Sequence, residues 1–259
     1  PLIAAQPNVA QPSSSPLSPD RQAKPAGARP AGSGRIVQVF DFEESAFNPE
    51  PVPRYWFRAQ DDARAAAVGR ERPGFPRFNA AAFDHEVAYR GQTSVRLPTS
   101  GGSTSLRLSS TVIPVFADAD YLLSAMVRTT DLRHARAVLA ARLLTQSGVP
   151  IAGSEVRSAP VYSPSDWTSA SVAIPGRYAA AAFVQIELLL LQPEQLFGPA
   201  LPFAVPSQDI TGAAWFDDVT LYQLPRVALS PRGGKNIFFA PTPPAFSGII
   251  RDLTGEDLT

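Results

Sequence analysis

The sequence predicts an all-β, antiparallel fold. From about residue 35 onward, short apolar stretches alternate with Gly, Pro, Asn and Asp, a pattern typical of strands joined by turns. Alternate residues from Val184 to Leu190 are apolar and would share one face of a strand. The run 179–191 is also rich in good helix formers, but Pro175-Gly176 before it and Gln192-Pro193 after it favour a strand.

Nine candidate strands follow one another along the chain. The sequence Ser100-Gly101-Gly102-Ser103 predicts a hairpin turn between the second and the third of them, and 131–135 predicts the turn between the fourth and the fifth. The nine strands are predicted at 36–43, 93–97, 104–108, 121–128, 137–144, 155–161, 167–174, 183–191 and 213–222.

The two ends of the chain differ in composition from its middle. Residues 1–34 are rich in Pro, Ala, Ser and Gly without an apolar period, so we expect a disordered or extended linker tail. Residues 226–259 have a new apolar pattern that is too short to fold alone. We expect this C-terminal extension to be a connector with the start of a further β module, or a segment that packs back on the domain at 35–225.

Composition and charge exclude several classes of function. The 23 basic and 23 acidic residues balance, so we expect neither a nucleic-acid partner nor an anionic membrane surface. The chain has no Cys and only two His residues, which excludes disulfides, cysteine nucleophiles and histidine-rich metal sites. Apolar runs are far shorter than the roughly 20 residues of a membrane-spanning helix, so no membrane insertion is expected.

The segment 214–222 places two adjacent acids, Asp217 and Asp218, inside an apolar strand. Strict alternation would put Asp217 on the core side with Val219 and Leu221, and Asp218 on the other side. Because an unpaired buried carboxylate is costly, Asp217 is expected to clamp backbone N–H groups or to bind a hard cation.

Five segments resemble jelly-roll carbohydrate-binding modules of the galactose-binding-like class, the 4/9/22-type β-sandwiches. The resemblance covers about 36–224 and implies a two-sheet antiparallel jelly-roll β-sandwich. The matching segments are 39–43 (the "GDFE" opening), 89–97 ("G-x-x-S-L-x-L"), 121–128 ("Y-x-x-S-x-x-x-R"), 166–168 (the "W-x" strand start) and 215–219 (the closing "DDV").

The resemblance also implies a structural calcium ion near the first and last strands. Glu43 and Asp217 match the carboxylates of that family, and Asp41 and Asp218 are further candidates. Calcium accepts six to eight oxygens from carboxylates and carbonyls at flexible angles, which suits such a site. The alternative is that Asp217 only accepts backbone N–H bonds at a strand end.

Two clusters in the long connection 44–86 have the chemistry of a sugar-binding surface. Aromatic rings stack on pyranose faces, while amides and arginines bond the hydroxyls. The alternative is that these aromatic side chains close the edges of the sandwich. The candidate residues are Tyr55, Trp56, Arg58 and Gln60 in the first cluster and Phe75, Phe78 and Asn79 in the second.

The predicted function is that of a non-catalytic, carbohydrate-binding-module-like domain that recognises a polysaccharide or surface glycan. We expect an exported multidomain protein that is secreted, at the cell surface or periplasmic; because the sequence begins at Pro1, an export signal would lie upstream. No acid pair has a recognisable catalytic setting, so an enzyme is not expected. The alternative is a structural or protein-interaction module of a cell-surface assembly, whose tails bind protein neighbours.

Overall fold

The computed structural model describes residues 34–58, 72–162, 166–198, 207–231 and 245–251. In these ranges the chain is almost entirely strand, with one 3₁₀ turn at Glu43–Ala46 and one short helix, α1, at Pro193–Phe197. The strands are β1 (Arg35–Phe40), β2 (Trp56–Arg58), β3 (Ala82–Asp84), β4 (Ser94–Pro98), β5 (Thr104–Leu108), β6 (Ile113–Pro114), β7 (Asp120–Thr130), β8 (Arg136–Leu144), β9 (Val156–Arg157), β10 (Thr168–Ile174), β11 (Phe183–Leu191), β12 (Ala213–Leu224), β13 (Arg226–Pro231) and β14 (Phe246–Arg251).

Twelve of these strands form two antiparallel sheets that pack face to face. Sheet A has the order β10-β7-β12-β4-β3, with β1 also paired to β12, and sheet B has the order β2-β5-β11-β8-β9, with β6 also paired to β11. One continuous apolar core joins the inner faces, with Leu123 and Phe216 from sheet A and Leu139 and Ile186 from sheet B. The predicted β-sandwich is therefore confirmed.

The strand β11 shows why the sequence forms a sheet here rather than a helix. Its alternate residues Val184, Ile186, Leu188 and Leu190 are all fully buried in the core. Burying a side chain of this size contributes about 1.5–3 kcal/mol, and only a two-residue period directs all four to one side. The strand prediction for 183–191 is confirmed with the same bounds.

The predicted hairpin between the second and third candidate strands is wrong. These strands are β4 and β5, and β4 pairs with β12 and β3 in sheet A, whereas β5 pairs with β11 and β2 in sheet B. Gly101 and Gly102 do form a turn, with φ values of 80° and 79°. Both strands have an apolar face. Because the chain crosses from one sheet to the other between them, the two apolar faces pack against the same core from opposite sides.

The connection 131–135 likewise carries the chain from β7 in sheet A to β8 in sheet B. The short strands β2, β3 and β6 were not predicted, and the first predicted strand ends at Phe40, with Glu43 in the 3₁₀ turn. Within the described ranges, no helix has both the length and the apolar composition needed to cross a membrane.

The C-terminal strands β13 and β14 pair with each other in a separate two-stranded sheet. The predicted linker tail, up to residue 33, lies outside the described residues, as do 232–244 and 252–259. The predictions of a mobile tail and of a further β module therefore stay predictions.

Candidate functional site

A β-bulge at Asp217 and Asp218 marks the point where β1 and β4 meet alongside β12. The first part of β12 pairs with β4 and the later part with β1, both on the edge opposite β7. The register with β7 shifts between Asp217 and Thr220, and Asp218 has a φ of 49°. A bulge inserts one extra residue and re-aims the side chains around it.

The bulge overturns the predicted placement of Asp217 on the core side. Phe216 and Val219 both belong to the core, so strict alternation fails between them. Asp217 lies opposite Met126, whose neighbours along β7 face the core, and therefore belongs to the outer face of sheet A. Its side chain is nevertheless fully buried, because the loop that precedes β4 covers it.

The Asp217 carboxylate holds this loop by its backbone. Its Oδ2 accepts hydrogen bonds from the N–H groups of Tyr89 (2.8 Å) and Arg90 (3.1 Å), and its Oδ1 accepts one from Asp218 N–H (2.7 Å). Burial raises the pKa of Asp217 to about 7, while the three N–H donors act against that rise. Asp217 is thus a backbone clamp on the loop before β4.

Glu43 holds the same loop from the other side. Its Oε1 accepts hydrogen bonds from the N–H groups of Gln92 and Thr93, each at 2.9 Å. Gly91 lies between the two clamped pairs, with a φ of 66°, and a Cβ there would come 2.4 Å from Glu43 Oε1. Glu43, from the 3₁₀ turn after β1, and Asp217, from β12, thus converge on the loop 89–93.

The two further calcium candidates lie close to this clamp. Asp41 Oδ1 accepts the N–H of Glu43 at 3.3 Å, and Asp218 Oδ2 lies 3.6 Å from Arg90 Nη1. Across the part of the chain that the structure describes, no three His, Asp or Glu side chains are grouped to hold a metal ion. The hydrogen bonds from backbone N–H groups account for the Asp217 and Glu43 carboxylates without a metal ion. Calcium at this place therefore stays a prediction.

Trp56, proposed from the sequence as a sugar-stacking ring, is a core residue. It is only 4% exposed, and it makes edge contacts with Phe40 and Phe42 at centroid distances of 5.2 and 6.1 Å. In β2 it lies opposite the buried Leu108, so the alternation of that strand turns it inward. The prediction of Trp56 as an exposed ligand-binding residue is therefore wrong.

Asn79 and Phe75 are also buried and have local structural partners. Asn79 Nδ2 donates to the carbonyls of Gly101 (2.9 Å) and Gly102 (3.2 Å), and its Oδ1 accepts the N–H of Ser100 (3.0 Å). Asn79 therefore fixes the turn between β4 and β5.

Phe75 packs on a small apolar cluster on the outer face of sheet B, which covers one end of that face. The Arg72 guanidinium lies 3.9 Å from the centre of the Phe75 ring. Neither Phe75 nor Asn79 offers a side chain to a ligand from the surface.

The other predicted ligand residues differ in exposure. Tyr55 is 60% exposed and Phe78 is 69% exposed, so both rings are accessible. Tyr55 has a φ of 68°, unusual for an aromatic residue, and its carbonyl is held by Ser109. Arg58 Nε donates to the carbonyl of Ala81 at 3.1 Å, and Gln60 lies outside the described residues.

The rest of the outer face of sheet B carries a charged cluster that the sequence reasoning missed. We call it the guanidinium cluster: Arg72, Arg107 and Arg142, with Glu187 between them. Arg107 Nη2 donates to both Glu187 oxygens at 3.1 Å, Arg72 Nη1 donates at 2.5 Å, and the Ser105 hydroxyl also donates. Burial alone would raise the pKa of Glu187, but Arg107 and then Arg72 outweigh it and hold the pKa below its ordinary value.

Arg142 extends this cluster across the next strand. Its Nε and Nη2 donate to Gln185 Oε1 at 2.8 and 2.5 Å, and Gln185 Nε2 donates to the carbonyl of Leu108. The sequence did contain a signal for this cluster, at the positions of β11 that alternate with the core residues. Gln185 and Glu187 are polar there, where a strand buried on both faces would have aliphatic residues.

A cavity of about 540 Å³ lies at the end of the sandwich beside the β7–β8 connection. Asp209 in its wall is 6% exposed and accepts the successive N–H groups of Arg133, His134 and Ala135 at 2.7–3.1 Å. Burial opposes ionisation of Asp209, but these N–H donors outweigh it and lower its pKa. The carboxylate is therefore committed to the backbone of the connection.

Comparisons with known proteins concern the fold. No family model matches the sequence, and no curated protein is similar to it. Among solved structures, the CBM22-1 xylan-binding domain of Paenibacillus barcinonensis Xyn10C matches 73% of this chain and 95% of its own length, at 15% identity and a TM-score of 0.43.

Two larger proteins also match. The Clostridium thermocellum Xyn10B CBM22-1–GH10 modules, solved with xylohexaose, match 72% of this chain at 11% identity and a TM-score of 0.44, and the chain spans 28% of them. The enzymatically active domain of tailspike protein 4 of bacteriophage CBA120 matches 56% of this chain at 13% identity and a TM-score of 0.40, and the chain spans 18% of it. At 11–15% identity, these similarities concern the fold alone.

Proposed function

We propose that this chain is a glycan-binding module whose binding surface is the open part of the outer face of sheet B. Sugar sites combine aromatic faces with a few fixed planar polar groups. Phe57, partly exposed on β2, lies directly opposite Arg107 on β5. The exposed ring of Tyr55 lies two residues before Phe57 in the chain.

The observation that carries this proposal is the polar side of the central strand β11. Glu187 lies directly opposite Arg107 on β5, and Gln185 lies directly opposite Arg142 on β8. Three neighbouring strands therefore present fixed amide, carboxylate and guanidinium groups on one face of sheet B. Ionic groups at such positions are a poor source of stability, because apolar side chains of similar volume would serve the sheet as well or better. A binding role accounts for them.

The proposal includes a wider setting. The module is non-catalytic and belongs to an exported multidomain protein, secreted, at the cell surface or periplasmic. A structural calcium ion near Glu43 and Asp217 remains part of the proposal, because both acids meet at one loop.

Retention on insoluble polysaccharides and on a glycan array tests the binding function. Phe57→Ala and Tyr55→Ala should weaken retention, whereas Phe47→Ala, which removes an equally large ring from the 91% exposed Phe47 beyond the 3₁₀ turn, should leave it unchanged. Circular dichroism and melting curves would verify that each variant folds. Absence of retention on every glycan, or equal retention by all variants, would refute the proposed function or its surface.

A further inference from the structure

We infer that the glycan recognised at the guanidinium cluster is anionic, with its carboxylate or sulfate groups bound by Arg142 and Arg107. This inference rests on the proposed function and names the chemical class of its ligand. The cluster has three guanidinium groups and one carboxylate, Glu187, which is paired with Arg72 and Arg107, so the cluster carries an excess of two positive charges. The whole chain, by contrast, is neutral.

The excess charge is concentrated at Arg142. In the described part of the chain its side-chain hydrogen bonds go to the neutral amide of Gln185, and no carboxylate forms an ion pair with it. Glu155, which lines the same hollow, is already paired with Arg157 at 2.8 Å. Burial and the nearby charge of Arg107 lower the pKa of Arg142, and they outweigh the opposing effect of the Glu187 and Glu155 carboxylates.

The donors of the cluster also outnumber its acceptors. Each guanidinium has five N–H donors in a planar fork that matches carboxylate and sulfate oxygens. The Glu187 carboxylate already accepts hydrogen bonds from Arg72, Arg107 and Ser105. The buried Arg107 Nε has no hydrogen-bond partner. An incoming anion would offset the repulsion between the like charges of Arg107 and Arg142.

Small side chains border the Arg142 guanidinium. The hollow beside Arg142 is lined by Ala140 and Ala141, and the outer-face position next to Glu187 on β8 is Ala140. Arg142 itself is partly exposed, so its guanidinium can be contacted from the outer face of sheet B.

The experiment compares three glycan classes on the whole chain by titration calorimetry. The probes are polygalacturonate for carboxylates, dextran sulfate for sulfates, and xylan and cellulose oligosaccharides as neutral controls. We expect binding to at least one anionic class, weakened about tenfold or more between about 0.05 and 0.5 M NaCl, because salt screens exposed ion pairs. The carboxylate and sulfate arms identify which anion the cluster prefers.

Substitutions locate the binding. Arg142→Gln should weaken anionic binding by about tenfold or more, the value of one or two charge-assisted hydrogen bonds, and Arg142→Lys should retain part of it. Arg128→Gln, on the outer face of sheet A, is the matched control and should have no effect. Arg72→Gln, at the margin of the cluster, provides a second variant should Arg142→Gln fail to fold.

The outcomes separate the inference from the proposed function. Binding to neutral glycans with equal affinity and no salt dependence would overturn the anionic inference while leaving the proposed function intact. Anionic binding unaffected by both Arg142→Gln and Arg72→Gln would also overturn it. Binding to no glycan in any arm would overturn both.

Discussion

Replacement of the buried Asp209 by alanine should destabilise the sandwich strongly. The carboxylate accepts the N–H groups of Arg133, His134 and Ala135 in succession, so it alone satisfies the first turn of the connection between the sheets. The backbone of Asp209 separately bonds Gln192 and Gly101, and alanine would retain those bonds. The variant therefore isolates the side chain.

The expected cost follows from the donors left without a partner. An unsatisfied buried donor costs about 1–3 kcal/mol. The neighbouring cavity lets water reach part of this turn, which lowers the cost for Arg133 and His134, whereas Ala135 is fully buried. We therefore expect a loss of about 3 kcal/mol in the free energy of unfolding. Asp209→Asn retains one acceptor oxygen and should lose less.

Urea denaturation followed by tryptophan fluorescence measures this loss. Glu86→Ala, in which the exposed Glu86 side chain is removed, is the control and should change stability by no more than about 0.5 kcal/mol. Because the pKa of Asp209 is lowered, its stabilisation is present above the ordinary carboxyl pKa and is lost as the pH falls through the folded value. A loss below about 1 kcal/mol at pH 7, or a difference that persists at low pH, would refute the reasoning.

Three further predictions concern the guanidinium cluster and the clamp formed by Glu43 and Asp217. Glu187→Gln should lower the free energy of unfolding by about 2 kcal/mol at pH 7, since it leaves Arg107 without its carboxylate. Because the pKa of Glu187 is lowered, the difference in stability between wild type and variant in urea melts should shrink toward acid pH. A difference that stays constant with pH would contradict this. Gly91→Ala should cost about 2 kcal/mol or more, since its Cβ would strike Glu43 Oε1 at a positive φ; an unchanged urea midpoint would show that the clamp yields freely. Adding a calcium chelator should lower the melting temperature if the ion binds at this clamp, and an unchanged midpoint would remove calcium from the proposal.

Part of the candidate site could be predicted from sequence and part could not. The importance of Glu43 and Asp217 was visible, because acids inside apolar strands need partners wherever they lie. That both partners are N–H groups of the loop 89–93 was not visible, because those contacts span 49 to 128 residues. Trp56 was misassigned for a related reason: a tryptophan in a polar loop and one in a three-residue edge strand look alike until the strand has a partner.

The amino-acid sequence by itself determined where the longer strands lie and which of their residues face the core. Alternation is a property of consecutive residues, so it survives without knowledge of the partner, as in β5 and β11.

Only the tertiary structure decided which sheet each strand joins, where the bulge at Asp217 shifts the alternation, and which polar residues meet. The separation of β4 from β5 and the assembly of the guanidinium cluster from β5, β8 and β11 depend on pairings between distant segments. Such pairings are selected by burial of all the apolar faces together, and no short stretch of sequence contains that information.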